Sequence, residues 1–235
     1  MKILITAGST QMPIDKVRVI SNIFKGTTGA TIGFEASKRQ HETTIIANSS
    51  INPTVSGKYL NKNSKIIIYN TYDQLENLMK EEITTGNYDI IIHSSAVSDY
   101  KVSAIFDDVE DMVAWDKGGK YYGTNGLSMG KIPSGKNLFL ALTPTEKLVD
   151  KIRTKWGFKG KLVKFKLQVG MTDEQLIEIA KKSREFSTAD YIVANNLKDF
   201  NNWNVPKLYI IDSNDNIISC TRKKLADTLL DLLEK

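Results

Sequence analysis

The chain has 235 residues, 41% of them hydrophobic and 25% charged, and its 32 Lys+Arg against 27 Asp+Glu leave a formal charge of +5. That balance excludes intrinsic disorder, collagen and coiled coil, and no run reaches the roughly 20 apolar residues of a membrane-spanning helix. A single cysteine, Cys220, excludes an internal disulfide and a cysteine-based zinc site, and the two histidines, His41 and His93, speak against a His-rich metal site. The opening MKILITAG turns polar before the apolar stretch of about 7–15 residues that a secretory signal needs, so the expected location is cytoplasmic. The small positive excess suits an enzyme of anionic metabolites as well as a nucleic-acid binder. The basic residues are scattered, with no arginine-rich arm, which turns the expectation away from nucleic acid and from membranes.

In chain order, Lys2–Ala7 (KILITA) reads as a buried strand, followed by a Gly/Ser/Thr/Pro-rich loop from Gly8 to about Gly29. Thr28–Gln40 reads as a helix packed on one face with cations at its end. Thr43–Asn48 and Lys65–Asn70 read as strands, Thr71–Ile83 as an amphipathic helix and Asp89–Ala96 as a fourth strand. Residues 101–136 break this rhythm with an acidic run (FDDVED) and a glycine-rich stretch, and read as a flap or an intersubunit arm. Beyond it the pattern predicts a strand at Asn137–Leu142 and a helix at Pro144–Trp156, with Thr143 as N-cap and Pro144 at its first position. A strand at Lys161–Leu167, a helix at Thr172–Phe186 and a strand at Tyr191–Asn195 follow. A hairpin (Lys207–Asp212, Ile217–Cys220) and a last helix at Thr221–Glu234 close the chain. Apolar strands alternating with helices predict one α/β domain over residues 1–235. Its expected core is a doubly wound, mostly parallel, Rossmann-like sheet with a C-terminal β-hairpin and the mid-chain flap.

Ligands in such sheets bind beyond the carboxyl ends of the strands. Small and polar residues recur there: Thr6–Thr10, Ser94–Asp99, Phe165–Lys166 and Ala194–Asn196. The loop after the first strand has neither a Walker A ending nor GxGxxG spacing, which disfavours a hydride-transfer enzyme. It ends at Gly26-Thr27-Thr28-Gly29, which is either a phosphate-binding helix start or an ordinary capped connection. Asp99 either shares an Mg2+ with a nucleotide or caps the next turn. Lys131 and Lys136 flank a Pro-Ser-Gly segment and either close over phosphates or lie in a solvated loop. His93, inside an apolar strand, reads as structural, and Tyr121-Tyr122 as packing or recognition.

Several of these segments together resemble the phosphopantothenate–cysteine ligase family, over nearly the whole chain. ITAGSTQMPIDKVRVISN is similar to its opening ITAGGT-x-x-PID-x-VR-x-ISN, SSAVSDY to its AAVSDY or AAVADY, and KIPSGKNLFLALTPTEKLV to its KI-x-S segment. KFKLQV resembles the FKLET of its short members, and YIVANNL its VVAN-x-L. Two departures stand out. The usual SSG reads Phe24-Lys25-Gly26 with Thr27 where a basic residue is usual, so that the cation is displaced to Lys25, and the glutamate of FKLET is missing from FKLQV.

The resemblance implies a ligase in coenzyme A synthesis. A nucleoside triphosphate activates the 4′-phosphopantothenate carboxylate as an acyl nucleotidyl anhydride, and the amine of L-cysteine displaces the nucleotide. It implies Asn22 and Lys131 as catalytic, with Asn22 handling the acyl intermediate. Arg18, Ser95 and Ala96 join Asn22 at the substrate, and Arg18 does so from the partner subunit of a homodimer. Gly8, Ser9, Gly26, Asp99, Lys131, Lys136, Phe165 and Lys166 are implied at the nucleotide, and Asp99 at Mg2+. The absence of longer extensions favours CTP over ATP as co-substrate. With Met1 one residue before the first strand, one activity and no FMN are expected. The competing readings are a catalytically inactive nucleotide-binding regulator on the same fold and an NAD-type oxidoreductase.

Overall fold

The computed structural model describes residues 1–50, 60–106, 130–132, 134–135, 137–197 and 207–235. The chain runs through β1 (Lys2–Ala7), β2 (Gln11–Pro13), β3 (Val19–Ser21), α1 (Thr27–Lys38), β4 (Glu42–Asn48), β5 (Lys65–Tyr69) and α2 (Tyr72–Thr85). It continues through β6 (Ile90–His93), β7 (Tyr100–Phe106), β8 (Phe139–Pro144), α3 (Leu148–Thr154), β9 (Lys161–Val169) and α4 (Asp173–Phe186). The last elements are β10 (Tyr191–Leu197), β11 (Leu208–Asp212), β12 (Ile217–Cys220), a short 3-10 turn (Arg222–Lys224) and α5 (Leu225–Leu233).

Eight strands form one sheet in the order β12-β11-β10-β9-β6-β1-β4-β5. The neighbours β5-β4-β1-β6-β9-β10 pair in parallel, and β11 and β12 add an antiparallel hairpin at one edge. Successive strand residues point to opposite faces, and both faces are covered. Leu4, Ile46, Ile91 and Leu162 pack under α2 and α3, while Ile3, Ile5, Ile90, Ile92 and Val163 pack under α1 and α5. This is why KILITA and DIIIH are apolar throughout instead of alternating. The predicted mostly parallel, Rossmann-like α/β sheet with its C-terminal hairpin is the observed fold. No described helix is long and apolar enough to cross a membrane.

Three local expectations give way. The stretch predicted as loop from Gly8 to Gly29 contains the β2–β3 hairpin, with Met12 opposite Ile20. The strand predicted at Asn137–Leu142 is β8, but it pairs with β7 in a separate two-stranded ribbon, so residues 101–106 of the predicted flap are strand. The helix predicted from Pro144 begins at Leu148 after Lys147. Pro144 is the last residue of β8, and Thr145 is spent on bonds back to the loop after β6: its N–H donates to Asp99 O at 2.9 Å and its hydroxyl to Ser98 O at 2.6 Å. Residues 107–129 of the predicted flap, including Tyr121 and Tyr122, lie outside the described residues, as does Lys136.

Candidate active site

The carboxyl ends of β1, β6 and β9 open into a cleft of about 640 Å3, where the sheet topology places ligand sites. Its base is a close crossing of backbones. Gly26 has φ +80 and a Cβ there would stand 2.3 Å from Gly8 N; Gly8 has φ +94 and a Cβ there would stand 2.6 Å from Asn48 Cβ. Only glycine lets α1 start directly against the end of β1. That start carries no side-chain cap and no acid in its first turn, whereas α2 and α4 begin with complete capping boxes, Thr71 with Gln74 and Thr172 with Gln175. The uncapped N–H groups of α1 open where Thr27, Thr28 and Gly29 line the cleft.

The loops after β1 and β6 are zipped together. Ala96 N–H donates to Gly8 O at 2.9 Å, Thr10 N–H to Ala96 O at 3.3 Å and Ser98 N–H to the Thr10 hydroxyl at 2.8 Å. Asn22, leaving β3, donates its side-chain NH2 to Ala96 O at 3.1 Å. The wall beneath is set by Thr6, whose hydroxyl oxygen accepts from Ser95 N–H at 3.2 Å and lies 2.9 Å from His93 Nδ1. Burial, with the nearby Lys164 cation, pushes His93 down to about 4, so it stays neutral beside Thr6. It is buried yet borders the cleft.

The electrostatics are one-sided. Lys147 pairs with Asp99 at the cleft edge. Lys25, Lys166 and Arg222 also line the cleft, and none has an acidic partner among the described residues. Burial lowers Lys164 to about 8, and it donates instead to Ser183 O at 2.9 Å. Among the described residues no three His, Cys, Asp or Glu side chains converge on a metal site. Asp99 offers one carboxylate, whose Oδ2 has no partner among the described residues. That suits a divalent cation held mainly by phosphate oxygens.

Gly8, Asn22, Gly26, Ser95, Ala96, Asp99, Phe165 and Lys166 all line this one cleft. Ser9, Arg18 and Lys131 do not. Ser9 is buried with its hydroxyl 2.9 Å from that of Ser21, bracing β3. Arg18, at the turn of the β2–β3 hairpin, reaches the backbone next to Lys131, donating from Nη2 to Ile132 O at 2.9 Å. Lys147, Asn195 and Arg222 line the cleft without having been singled out individually. Asn195 lay within a strand-end cluster, and Lys147 was hidden by the misplaced helix start. Arg222, on the turn before α5, carries no motif. Apolar side chains stand exposed on the two small ribbons and beside them: Val17, Val19, Ile20, Ile23, Tyr100 and Leu142.

Residues 1–108 match the model of the DNA/pantothenate metabolism flavoprotein C-terminal domain, so this part of the chain carries that family's pattern. The chain is 30% identical, over all of its length and 51% of the relative's, to the coenzyme A biosynthesis bifunctional protein CoaBC of Thermococcus kodakarensis. It therefore spans about half the length of the curated relatives it matches. It superposes on the crystal structure of the DNA/pantothenate metabolism flavoprotein from Streptococcus pneumoniae with a TM-score of 0.84 and 27% identity, covering 100% of this chain and 98% of that one. A Cab2 variant in complex with phosphopantothenate-cysteine shares the fold at a TM-score of 0.62 and 14% identity, covering 99% of this chain and 88% of that one.

Proposed function

We propose that this chain is a phosphopantothenate–cysteine ligase of coenzyme A biosynthesis. The observation that carries the reading is the single cleft into which Asn22, the Ser95–Asp99 loop, Phe165-Lys166 and the open start of α1 converge. The match to the CoaBC relatives and the phosphopantothenate-cysteine bound by a protein of the same fold support it.

The reaction joins two poorly reactive groups. A carboxylate oxygen of 4′-phosphopantothenate attacks the α-phosphorus of a nucleoside triphosphate, forming a C–O–P anhydride and releasing pyrophosphate. The cysteine amine then attacks the acyl carbon, the amide forms, the nucleoside monophosphate leaves and the amine gives up a proton. The first step gathers negative charge in one place. Lys25, Lys166 and Arg222, without acidic partners among the described residues, and the uncapped N–H groups of α1 offset that charge. Asp99 would hold an Mg2+ ion, which would supply charge neutralisation on the triphosphate. In the second step Asn22, anchored through Ala96 O, holds the acyl group while the amine approaches. Neither step transfers electrons, so the chemistry has no need of FMN.

The exposed apolar residues of the β2–β3 and β7–β8 ribbons support a homodimer joined through these ribbons, with Arg18 reaching the partner's substrate phosphate. CTP is put ahead of ATP as the co-substrate, and a nucleotide-dependent ligase belongs in the cytoplasm. Incubation with 4′-phosphopantothenate, cysteine and CTP or ATP, side by side, tests the reading. Phosphopantothenoylcysteine and pyrophosphate should form together and faster with CTP. Neither product with either nucleotide would refute the ligase reading, and faster turnover with ATP would refute the nucleotide preference alone.

A further inference from the structure

The turn of the β2–β3 hairpin holds a buried carboxylate. Asp15 is 2% exposed. Its Oδ1 accepts from Val17 N–H at 2.8 Å and Arg18 N–H at 2.7 Å, which closes the turn. Its Oδ2 does something else: it accepts from Arg18 Nε at 2.9 Å and from Ile132 N–H at 3.0 Å, across 117 positions of sequence. Arg18 Nη2 completes the loop by donating to Ile132 O at 2.9 Å, and Lys16 N–H donates to Gly130 O at 3.0 Å. The Arg18 guanidinium beside Asp15 holds its carboxyl well below the usual carboxylate range, so the clasp stays ionised across the physiological range.

Lys131 lies between the two clasped residues. Its backbone is tied on both sides, and its own ammonium has no partner among the described residues. On Arg18, Nε and Nη2 face inward, while Nη1 has no partner among the described residues. Free lysine and arginine side chains each carry about 2 kcal/mol of rotamer entropy. A fixed backbone for one and a fixed inner edge for the other reduce what must be ordered when an anion binds.

We propose that Asp15 is a positioning residue: its Oδ2 locks Arg18 and the Gly130–Ile132 backbone into one unit that holds the Arg18 Nη1 edge and the Lys131 side chain in fixed relation for anion binding. This rests on the ligase reading for the identity of the anion, but the lock itself does not.

Asp15→Asn separates the two functions of the carboxylate. The amide oxygen keeps the Oδ1 bonds that close the turn, while an NH2 in place of Oδ2 faces donors and accepts nothing. Turnover should fall by about tenfold to a hundredfold, and the same change in an Arg18→Ala/Lys131→Ala background should cost less than about threefold, because both side chains it positions are gone. Amide exchange at Ile132 in the unliganded protein should accelerate at least about tenfold, a readout independent of any activity. Ile132→Pro, which removes the donated N–H and stiffens the backbone at Lys131, should reproduce the turnover loss with the Asp15–Arg18 pair intact. Equal turnover losses in both backgrounds, or unchanged Ile132 exchange, would overturn the proposal. Absence of ligase activity in the wild type with accelerated Ile132 exchange in Asp15→Asn would refute the ligase reading and leave the lock standing.

Discussion

The two ends of the central sheet are finished differently. At the amino ends of the strands two arginines and a histidine are held by carboxylates. Arg39 pairs with Asp227 at 3.1 Å, Asp231 at 2.7 Å and Glu234 at 3.2 Å, and His41 reaches Glu234 at 2.8 Å. Arg153 there binds Asp190 at 2.7 Å and the carbonyls of Phe158 and Gly160, each at 3.1 Å. At the carboxyl ends Lys25, Lys166 and Arg222 line the cleft with no acidic partner among the described residues, and α1 starts without a cap. The arginine at the amino ends is held in a carboxylate cluster, whereas the cations around the cleft are left to solvent or ligand, which is the contrast the proposed anionic substrates require.

The contrast is sharpest at two glycines of positive φ. At the cleft end, Gly26→Ala forces a Cβ to 2.3 Å from Gly8 N. It should destabilise the fold by about 3 kcal/mol or more and lower ligase turnover about a hundredfold where the fold survives. At the opposite end Gly157 has φ +70 with nothing within 4 Å, so Gly157→Ala should cost about 1 kcal/mol and leave turnover unchanged. Urea melts and initial rates on both variants check this. Similar losses of turnover in the two would remove the distinction.

His93 gives the cleft end a pH signature. Held at about 4 by burial and by Lys164, it refuses the proton that an unfolded histidine accepts near 6.5. Its contribution is complete above pH 6.5 and is lost as pH falls from there toward 4, by about 3 kcal/mol in all. Stability curves of the wild type and of His93→Gln should converge over that window. Parallel curves would mean that the acid loss comes from the carboxylates of the paired end instead.

The smallest effects separate the ends by kind. Arg222→Ala should raise the nucleotide KM about tenfold and change stability by less than about 0.5 kcal/mol. Arg39→Ala should leave KM unchanged and destabilise by roughly 1 kcal/mol, since four carboxylates, Glu35 among them, lose a shared cation at a partly exposed site. A reversal of either pattern would break the comparison.

What could be read from sequence follows the same physics. β1, β4, β6, β9 and β10 announce themselves because residues such as Ile3, Leu4 and Ile5 must be apolar on both faces. The β2–β3 hairpin does not, since its strands are three residues long, one ends in Pro13, and Val19 and Ile20 are exposed. β8 has strand-like residues, yet no local pattern says that it pairs with β7 instead of joining the large sheet. In the site, Asn22, Asp99 and Lys166 were legible because they follow strands or belong to a motif. Lys147 and Arg222 reach the cleft through tertiary packing alone, and the Asp15–Ile132 clasp spans a separation at which sequence carries no pairing signal.

The ligase assignment is tested most directly by isotope exchange between labelled pyrophosphate and CTP without cysteine. Activation of a carboxylate by nucleotidyl transfer is reversible at that stage. The assignment predicts label entering CTP only when 4′-phosphopantothenate is present, and much less of it in Lys131→Ala. Exchange that ignores 4′-phosphopantothenate, or none in the presence of CTP or ATP with 4′-phosphopantothenate and Mg2+, would contradict it.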